Sequence, residues 1–201
     1  MHIALTGFIT GLSLIVAIGA QNAFILRLGL MKSHIGIAVA ICAFSDALLI
    51  FVGTAGMGAV VEANKGALKV IAWIGAAYLS YFAFSAAKRV FTSESLEASQ
   101  LNEMSLKKVV LSVLGFTWLN PHVYLDTVLL VGSIGGRYGD QRWIFAIGAS
   151  LASLVWFVSL GYGSKAAARV MAKPITWRVL DIFIAIVMAT IAISLVKTAL
   201  S

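Results

Sequence analysis

The sequence predicts an all-α polytopic membrane protein with six transmembrane helices. Of its 201 residues, 61% are hydrophobic and 11% are charged, and the mean hydropathy is +0.99. A soluble domain of this length is far less apolar. Six apolar runs also reach the roughly 20 residues needed to cross a hydrocarbon core of about 30 Å. These runs lie near residues 3–26, 36–60, 66–87, 109–132, 143–163 and 179–199.

The first run, residues 3–26, has no basic segment before it and no typical cleavage site after it. We therefore expect a retained span rather than a signal peptide. Gly19, Gln21 and Asn22 interrupt the run and indicate a break in its helix. The second run contains the single cysteine, Cys42, which can form neither an internal disulfide nor a dithiol relay, so a membrane thiol-redox carrier is excluded.

A polar stretch from about Lys88 to Lys108 divides the six runs three and three. Because three is an odd number, tandem halves would lie inverted in the membrane, which is a recurrent plan among transporters. We therefore predict a single transporter domain, residues 1–201, built from inverted three-helix repeats at residues 1–90 and 105–201. Asn22 and Asn120 each interrupt the first span of their half, which weakly supports the repeat.

The fourth run is interrupted at Asn120 and Pro121. A proline inside a helix removes a hydrogen-bond donor and clashes with the preceding turn, which frees carbonyl groups. Helix breaks are therefore expected at Gly19 and at Pro121. A freed carbonyl group can bind a cation. In the alternative interpretation, Asn22 and Asn120 only form hydrogen bonds between helices.

The formal net charge of +7 is explained by membrane topology. The basic residues are spread through short loops and do not form the patch that nucleic-acid binding requires, so no nucleic-acid partner is expected. By the positive-inside rule the side with more basic residues is cytoplasmic, which places both termini in the periplasm. The more basic side carries Arg27, Lys32, Lys88, Arg89, Lys107, Lys108, Lys165, Arg169, Lys173 and Arg178, against Lys65, Lys69, Arg137, Arg142 and Lys197 on the other.

Asp46 and Asp126 lie inside apolar runs. A charged side chain at the bilayer centre costs about 2.5 to 3.5 kcal/mol on translocon scales, and such residues are typical of cation or proton sites. Alternatively, a basic residue such as Arg27 holds one of the two aspartates in an assembly role. Asp181 lies beside Arg178 at the start of the last span, where a helix N-terminus favours a negative charge, and we interpret it as structural.

Polar residues near the two breaks complete the predicted site. Gln21, Asn22 and Asn120 are expected to contact the backbone groups of a transported solute. His122 either relays protons or forms structural hydrogen bonds. Three scattered histidines without metal-ligand spacing, and the absence of a phosphate-binding glycine loop, predict no metal, no cofactor and no ATP hydrolysis. Without a nucleophile constellation we also expect no enzymatic activity.

Aromatic residues and glycine pairs allow two interpretations each. In one interpretation the path of the transported solute is lined by Trp118, Tyr124 and Trp156, since aromatic faces attract cations. In the other, they are anchors at the membrane interface, which are common in membrane proteins. Glycines four residues apart permit close helix packing, either within one copy or in a homodimer. The two glycine pairs are Gly7 with Gly11 and Gly132 with Gly136.

These residues closely resemble the lysine and arginine exporter family of bacterial inner membranes, the namesakes of the LysE superfamily. The resemblance is carried by residues 19–24 (Gly-Ala-Gln-Asn-Ala-Phe), by Ser45-Asp46 and by residues 117–126 (Thr-Trp-Leu-Asn-Pro-His-Val-Tyr-Leu-Asp), and it spans nearly the whole chain. It implies export of L-lysine or L-arginine driven by the proton motive force, with Asp46 and Asp126 central. Members often have proline where this chain has Ala20.

Export of another small solute, a neutral amino acid or a divalent cation, is the nearest alternative function. Paired intramembrane carboxylates favour a cationic group, and the lack of a dense oxygen-ligand cluster disfavours a dedicated metal site. The neutral-solute and metal exporters of the superfamily tend to have a proline-glycine-proline break in the first span, which this chain lacks. A non-transporting membrane scaffold is disfavoured because packing alone does not require intramembrane carboxylates.

Overall fold

The computed structural model describes residues 2–16, 19–57, 64–91, 104–166 and 174–200. These residues form helices and no strand, which confirms the all-helical prediction. Eight helices follow in order: α1 His2–Ile15, α2 Ala20–Leu30, α3 Ile35–Val52, α4 Lys65–Phe91, α5 Leu106–Trp118, α6 from Pro121 to Gly136, α7 Arg142–Ala166 and α8 Pro174–Leu200. Helix α3 continues into a π-helical turn, Gly53–Met57, and α6 is π-helical over Tyr124–Val131.

Four of the described helices, α3, α4, α7 and α8, are long and apolar enough to cross a membrane, and the bent pair α1–α2 raises this number to five when it counts as one span. The directions of α1 and α2 differ by 84°. The 14 residues of α1 and the 13 residues of α5 each extend only about 20 Å, which is less than the hydrocarbon thickness. The predicted number of six transmembrane helices is therefore not confirmed, since the first and fourth runs each form two shorter pieces.

The helices of the two predicted halves are interleaved. Helix α1 packs along α7, and α5 and α6 pack against α3 and its π-helical extension. Helices α3 and α7 also pack against each other, and α4 packs along most of α8. Each half therefore lays its first, broken helix on the second helix of the other half.

Glycine backbones set the distance between several of these helices. A Cβ on Gly7 would lie 2.1 Å from the carbonyl oxygen of Phe145, and one on Gly132 would lie 2.5 Å from the backbone of Gly53. Close approach within one copy thus accounts for the small residues at positions 7 and 132. Gly136 has nothing within 4 Å of the corresponding point.

An ion-pair cluster joins the ends of three helices. Asp181 near the start of α8 accepts hydrogen bonds from Arg27 of α2 and, at 2.9 and 3.1 Å, from Arg89 of α4. Its side chain is buried, so the two guanidinium groups supply its compensation. Arg27 is thus paired with Asp181, and the alternative in which Arg27 holds Asp46 or Asp126 is not what the structure shows.

Candidate functional site

A cavity of about 260 Å³ lies where both helix breaks meet α3, and we call it the central cavity. Apart from its polar residues it is bordered by apolar side chains of both halves, among them Ile50, Val131 and Phe157. Its volume is slightly below the roughly 300 to 1,000 Å³ of typical small-molecule pockets, which suits one small solute. The predicted site residues that line the central cavity are Gly19, Gln21, Asn22, Asp46, Asn120, His122 and Asp126.

The second piece of each broken helix begins at the central cavity. Helix α2 starts directly after Gly19, which makes no side-chain cap, and α6 starts directly after Asn120, whose Oδ1 accepts a hydrogen bond of 3.1 Å from the N–H of His122. The first N–H groups of a helix lack partners within that helix. Helix α2 therefore presents backbone donors at the central cavity, whereas the first N–H groups of α6 already have acceptors.

Asp46 lies two-thirds of the way along α3 and is only 4% exposed. Its Oδ2 accepts a hydrogen bond of 2.7 Å from the hydroxyl of Ser153 on α7. No lysine or arginine of the described residues forms an ion pair with it. The sequence offered no signal for Ser153, because one serine inside an apolar run is unremarkable until its neighbour across the interface is known.

Asp126 reaches the central cavity from the π-helical part of α6. π-Helical segments are rare in proteins, and those that occur are often found at functional sites. His122 lies four residues earlier and lines the same cavity, and its Nε2 is 3.4 Å from the hydroxyl of Ser194 on α8. Asp126 and His122 are therefore titratable neighbours on one helix, and α8 approaches them from the other side.

Side chains satisfy carbonyl groups at both breaks. Asn22 donates a hydrogen bond of 2.8 Å to the carbonyl of Ile15 at the end of α1 and accepts one of 3.3 Å from the indole of Trp156. At the second break, the hydroxyl of Tyr124 donates a hydrogen bond of 2.9 Å to the carbonyl of Trp118. The carbonyl groups of Ile15 and Trp118 therefore already have hydrogen-bond donors within the protein. Asn22 forms a hydrogen bond between helices, as the second interpretation of the breaks expects.

The three predicted aromatic residues stand behind the residues that line the central cavity. Trp156 and Tyr124 contact the breaks as described, and the indole of Trp118 donates a hydrogen bond of 3.3 Å to Ser45, the neighbour of Asp46 in α3. Pro121 is buried at the start of α6 and acts as the helix break. Gln21 differs, because its buried Nε2 has no hydrogen-bond partner in the described part of the chain.

The described residues contain no group of three histidine, cysteine or acidic side chains that could hold a metal ion. Cys42 is buried with a free thiol. What the central cavity offers is therefore carboxylates, amides and an imidazole inside a bundle of apolar helices. Broken helices that meet at such a site are the arrangement of a secondary membrane transporter.

Comparison with known proteins agrees with that class. Residues 12–198 match the family described as LysE type translocator, and the chain belongs to this family. It is 39% identical to the lysine exporter LysE of Corynebacterium diphtheriae, over 94% of this chain and 96% of the relative. It is 34% identical to the arginine exporter protein ArgO of Pectobacterium carotovorum, over 96% of each chain. The putative amino-acid transporter Rv0488 of Mycobacterium tuberculosis is 38% identical over 93% of each chain.

No solved structure matches the chain. The family membership confirms the resemblance stated from the sequence and makes the protein a membrane-embedded amino acid exporter rather than an enzyme.

Proposed function

We propose that the protein exports basic amino acids, L-lysine, L-arginine or both, in exchange for protons. The observation that carries the proposal is the meeting of Asp46 and Asp126 at the central cavity, with no lysine or arginine paired to either among the described residues. Carboxylates in apolar surroundings require a compensating cation or proton. The relatives named as lysine and arginine exporters support a cationic amino acid as that partner.

Proton exchange follows from the energetics of the cargo. Moving a cation out of a cell with a negative interior costs about 2.3 kcal/mol per charge for each 100 mV of membrane potential. Simple uniport would therefore run inward. A carboxylate solves this problem because its ionised form holds an ammonium or guanidinium group and its protonated form carries a proton. One-for-one exchange would be electroneutral and driven by the pH gradient.

The residues of the central cavity divide the binding task. Asp46 and Asp126 hold the cationic groups and the proton, and His122 lies one turn from Asp126 at the same cavity. Gln21, whose amide lies beside the Cys42 thiol, supplies a donor to the carboxylate of the amino acid near the uncapped start of α2. Asn22 and Asn120 keep the two breaks in shape through their hydrogen bonds.

The interleaved packing of the helices supports two inverted repeats, residues 1–90 and 105–201. The first helix of each half is broken, each break borders the central cavity, and each first helix packs on the second helix of the other half. This is the plan in which one repeat rocks against the other around a fixed site. With the distribution of basic residues, it supports our proposal of a bacterial inner-membrane protein with both termini in the periplasm.

The test is efflux of labelled L-arginine and L-lysine from proteoliposomes of purified protein, with and without an imposed inward proton gradient. Alanine serves as the neutral comparison and Mn²⁺ as the metal comparison. The proposal expects gradient-stimulated efflux of a basic amino acid but not of alanine or Mn²⁺. If vesicles with correctly folded protein release alanine or Mn²⁺ but no basic amino acid, the proposal is refuted. The protein would then be an exporter of neutral amino acids or of divalent cations.

A further inference from the structure

The hydroxyl of Ser153 is the one hydrogen-bond partner that the described part of the chain gives to Asp46. Ser153 is fully buried in the middle of α7, and its Oγ is 2.7 Å from Oδ2 of Asp46. This separation is the usual one for a hydroxyl that donates to a carboxylate. The contact spans the interface between α3 and α7, which belong to opposite halves of the chain.

A serine hydroxyl carries one donor and two acceptor lone pairs, and its hydrogen rotates freely. It can therefore donate to an ionised Asp46 and, after the carboxyl group has taken up a proton, accept a hydrogen bond from that carboxyl. An arginine or lysine in the same place could serve only the ionised state, because both are donors without an acceptor. Ser153 thus fits a carboxyl group that changes its protonation state at a fixed position.

We propose that Ser153 is a positioning residue for the exchange of proton and substrate at Asp46. It holds the carboxyl group beside the central cavity in both states and sets the pH at which the exporter exchanges one for the other. This inference rests on the proposed function, since it assigns a role within that transport cycle. Oδ1, which accepts no hydrogen bond from the described residues, is the oxygen left for the substrate cation.

The neighbourhood of Asp46 contains few other charges. Asp126 and His122 border the same cavity from α6, and Cys42 lies one turn earlier on α3. The charged residues on the other helices that pack against α3 lie toward the ends of those helices: Arg27 on α2, Lys107 and Lys108 on α5, and Arg142 and Lys165 on α7. Because the Ser153 hydroxyl bonds to Asp46, a change in the pH dependence on its removal reports on Asp46.

The test is the pH dependence of efflux in proteoliposomes for Ser153→Ala and for its matched control Ser150→Ala. Ser150 lies on the same helix, and its buried hydroxyl has no hydrogen-bond partner among the described residues. The hydroxyl binds the ionised carboxylate more strongly than the neutral carboxyl group, so its loss disfavours the ionised form, and the midpoint of the Ser153→Ala profile should move upward by about one pH unit. The Ser150→Ala midpoint should stay at the wild-type value.

Ser153→Thr keeps the hydroxyl and should restore the wild-type midpoint, which a merely structural role would not require. An unchanged midpoint in Ser153→Ala overturns the inference, even when the maximal rate falls. Should the alanine variant transport too slowly for a profile, the profile of Ser153→Cys, with its weaker donor, decides by the same criterion. Failure of the wild type to export a basic amino acid refutes the proposed function, whereas wild-type export with an unshifted alanine variant refutes only the role of Ser153.

Discussion

Arg27 and Asp181, which are 154 positions apart in the chain, form a partly buried ion pair between α2 and α8. Arg89 donates to the same carboxylate oxygen, so α2, α4 and α8 meet at one acidic side chain. This arrangement separates the intramembrane charges into two kinds. The carboxylate of Asp181 is compensated by protein groups, whereas those of Asp46 and Asp126 have no such guanidinium partner in the described residues.

Asp181→Asn should destabilise the protein by about 3 kcal/mol, because the partly buried Arg27 would lose the charge that compensates it and Arg89 would lose its partner. Thermal unfolding of the purified protein in detergent measures the effect. Arg178→Gln is the matched control, since Arg178 is exposed and close to Asp181 in sequence. Equal melting temperatures for Asp181→Asn and the control would show that the cluster adds nothing to stability.

Asp46→Asn and Asp126→Asn should each insert normally and lose most proton-coupled efflux. An amide neither takes up a proton near neutral pH nor carries a negative charge that attracts a cation. Asp140→Asn, at an exposed position, should transport as the wild type does. Gradient-driven efflux per folded molecule is the measurement. Wild-type coupling in both cavity variants would refute the mechanism, and misinsertion would indicate an assembly role for the aspartates.

Gly132→Ala should lower the unfolding free energy by about 1 to 3 kcal/mol, because the new methyl group meets the backbone of Gly53. Gly136→Ala should be neutral or slightly stabilising, since its methyl group meets open space and alanine favours a helix. Thermal unfolding of the two variants side by side tests the difference. Equal destabilisation would contradict the close approach of α6 to the end of α3.

Tyr124→Phe should cost about 1 kcal/mol of stability, because the carbonyl of Trp118 loses the donor that closes the second helix break. Tyr81→Phe is the control, since Tyr81 is exposed on α4. Thermal unfolding reports the stability, and efflux assays show whether the break is also used in transport. A loss in Tyr81→Phe as large as in Tyr124→Phe would remove the special role of this hydrogen bond.

The helical class and the breaks were predictable because they depend on local chemistry. Hydropathy measures how apolar a segment is, and Pro121 acts on the turn that precedes it. Hydropathy carries no information on direction, however, so the run over residues 3–26 reads as one span although the helix turns by 84° within it. Length and composition alone therefore count this bent run as one straight span.

The candidate site was predictable to the extent that its residues are unusual for a membrane. Asp46, Asp126 and the amides stand out in apolar surroundings, and the structure brings them to one cavity. The partner of Asp46 was not predictable, because Ser153 acquires its role only through a tertiary contact. The sequence likewise did not show that Trp118, Tyr124 and Trp156 stand behind the cavity as hydrogen-bonding supports.

The packing of α1 on α7 has a consequence for biogenesis. Gly7 is synthesised roughly 140 residues before Phe145, the residue on which it packs. At about 5 to 20 residues per second, the first helix emerges some 7 to 28 s before its partner exists. During this interval its contact surface must be covered by lipid, by the insertion machinery or by non-native neighbours. We therefore expect that the N-terminal half alone lacks its native packing, which forms only after the C-terminal half has entered the bilayer.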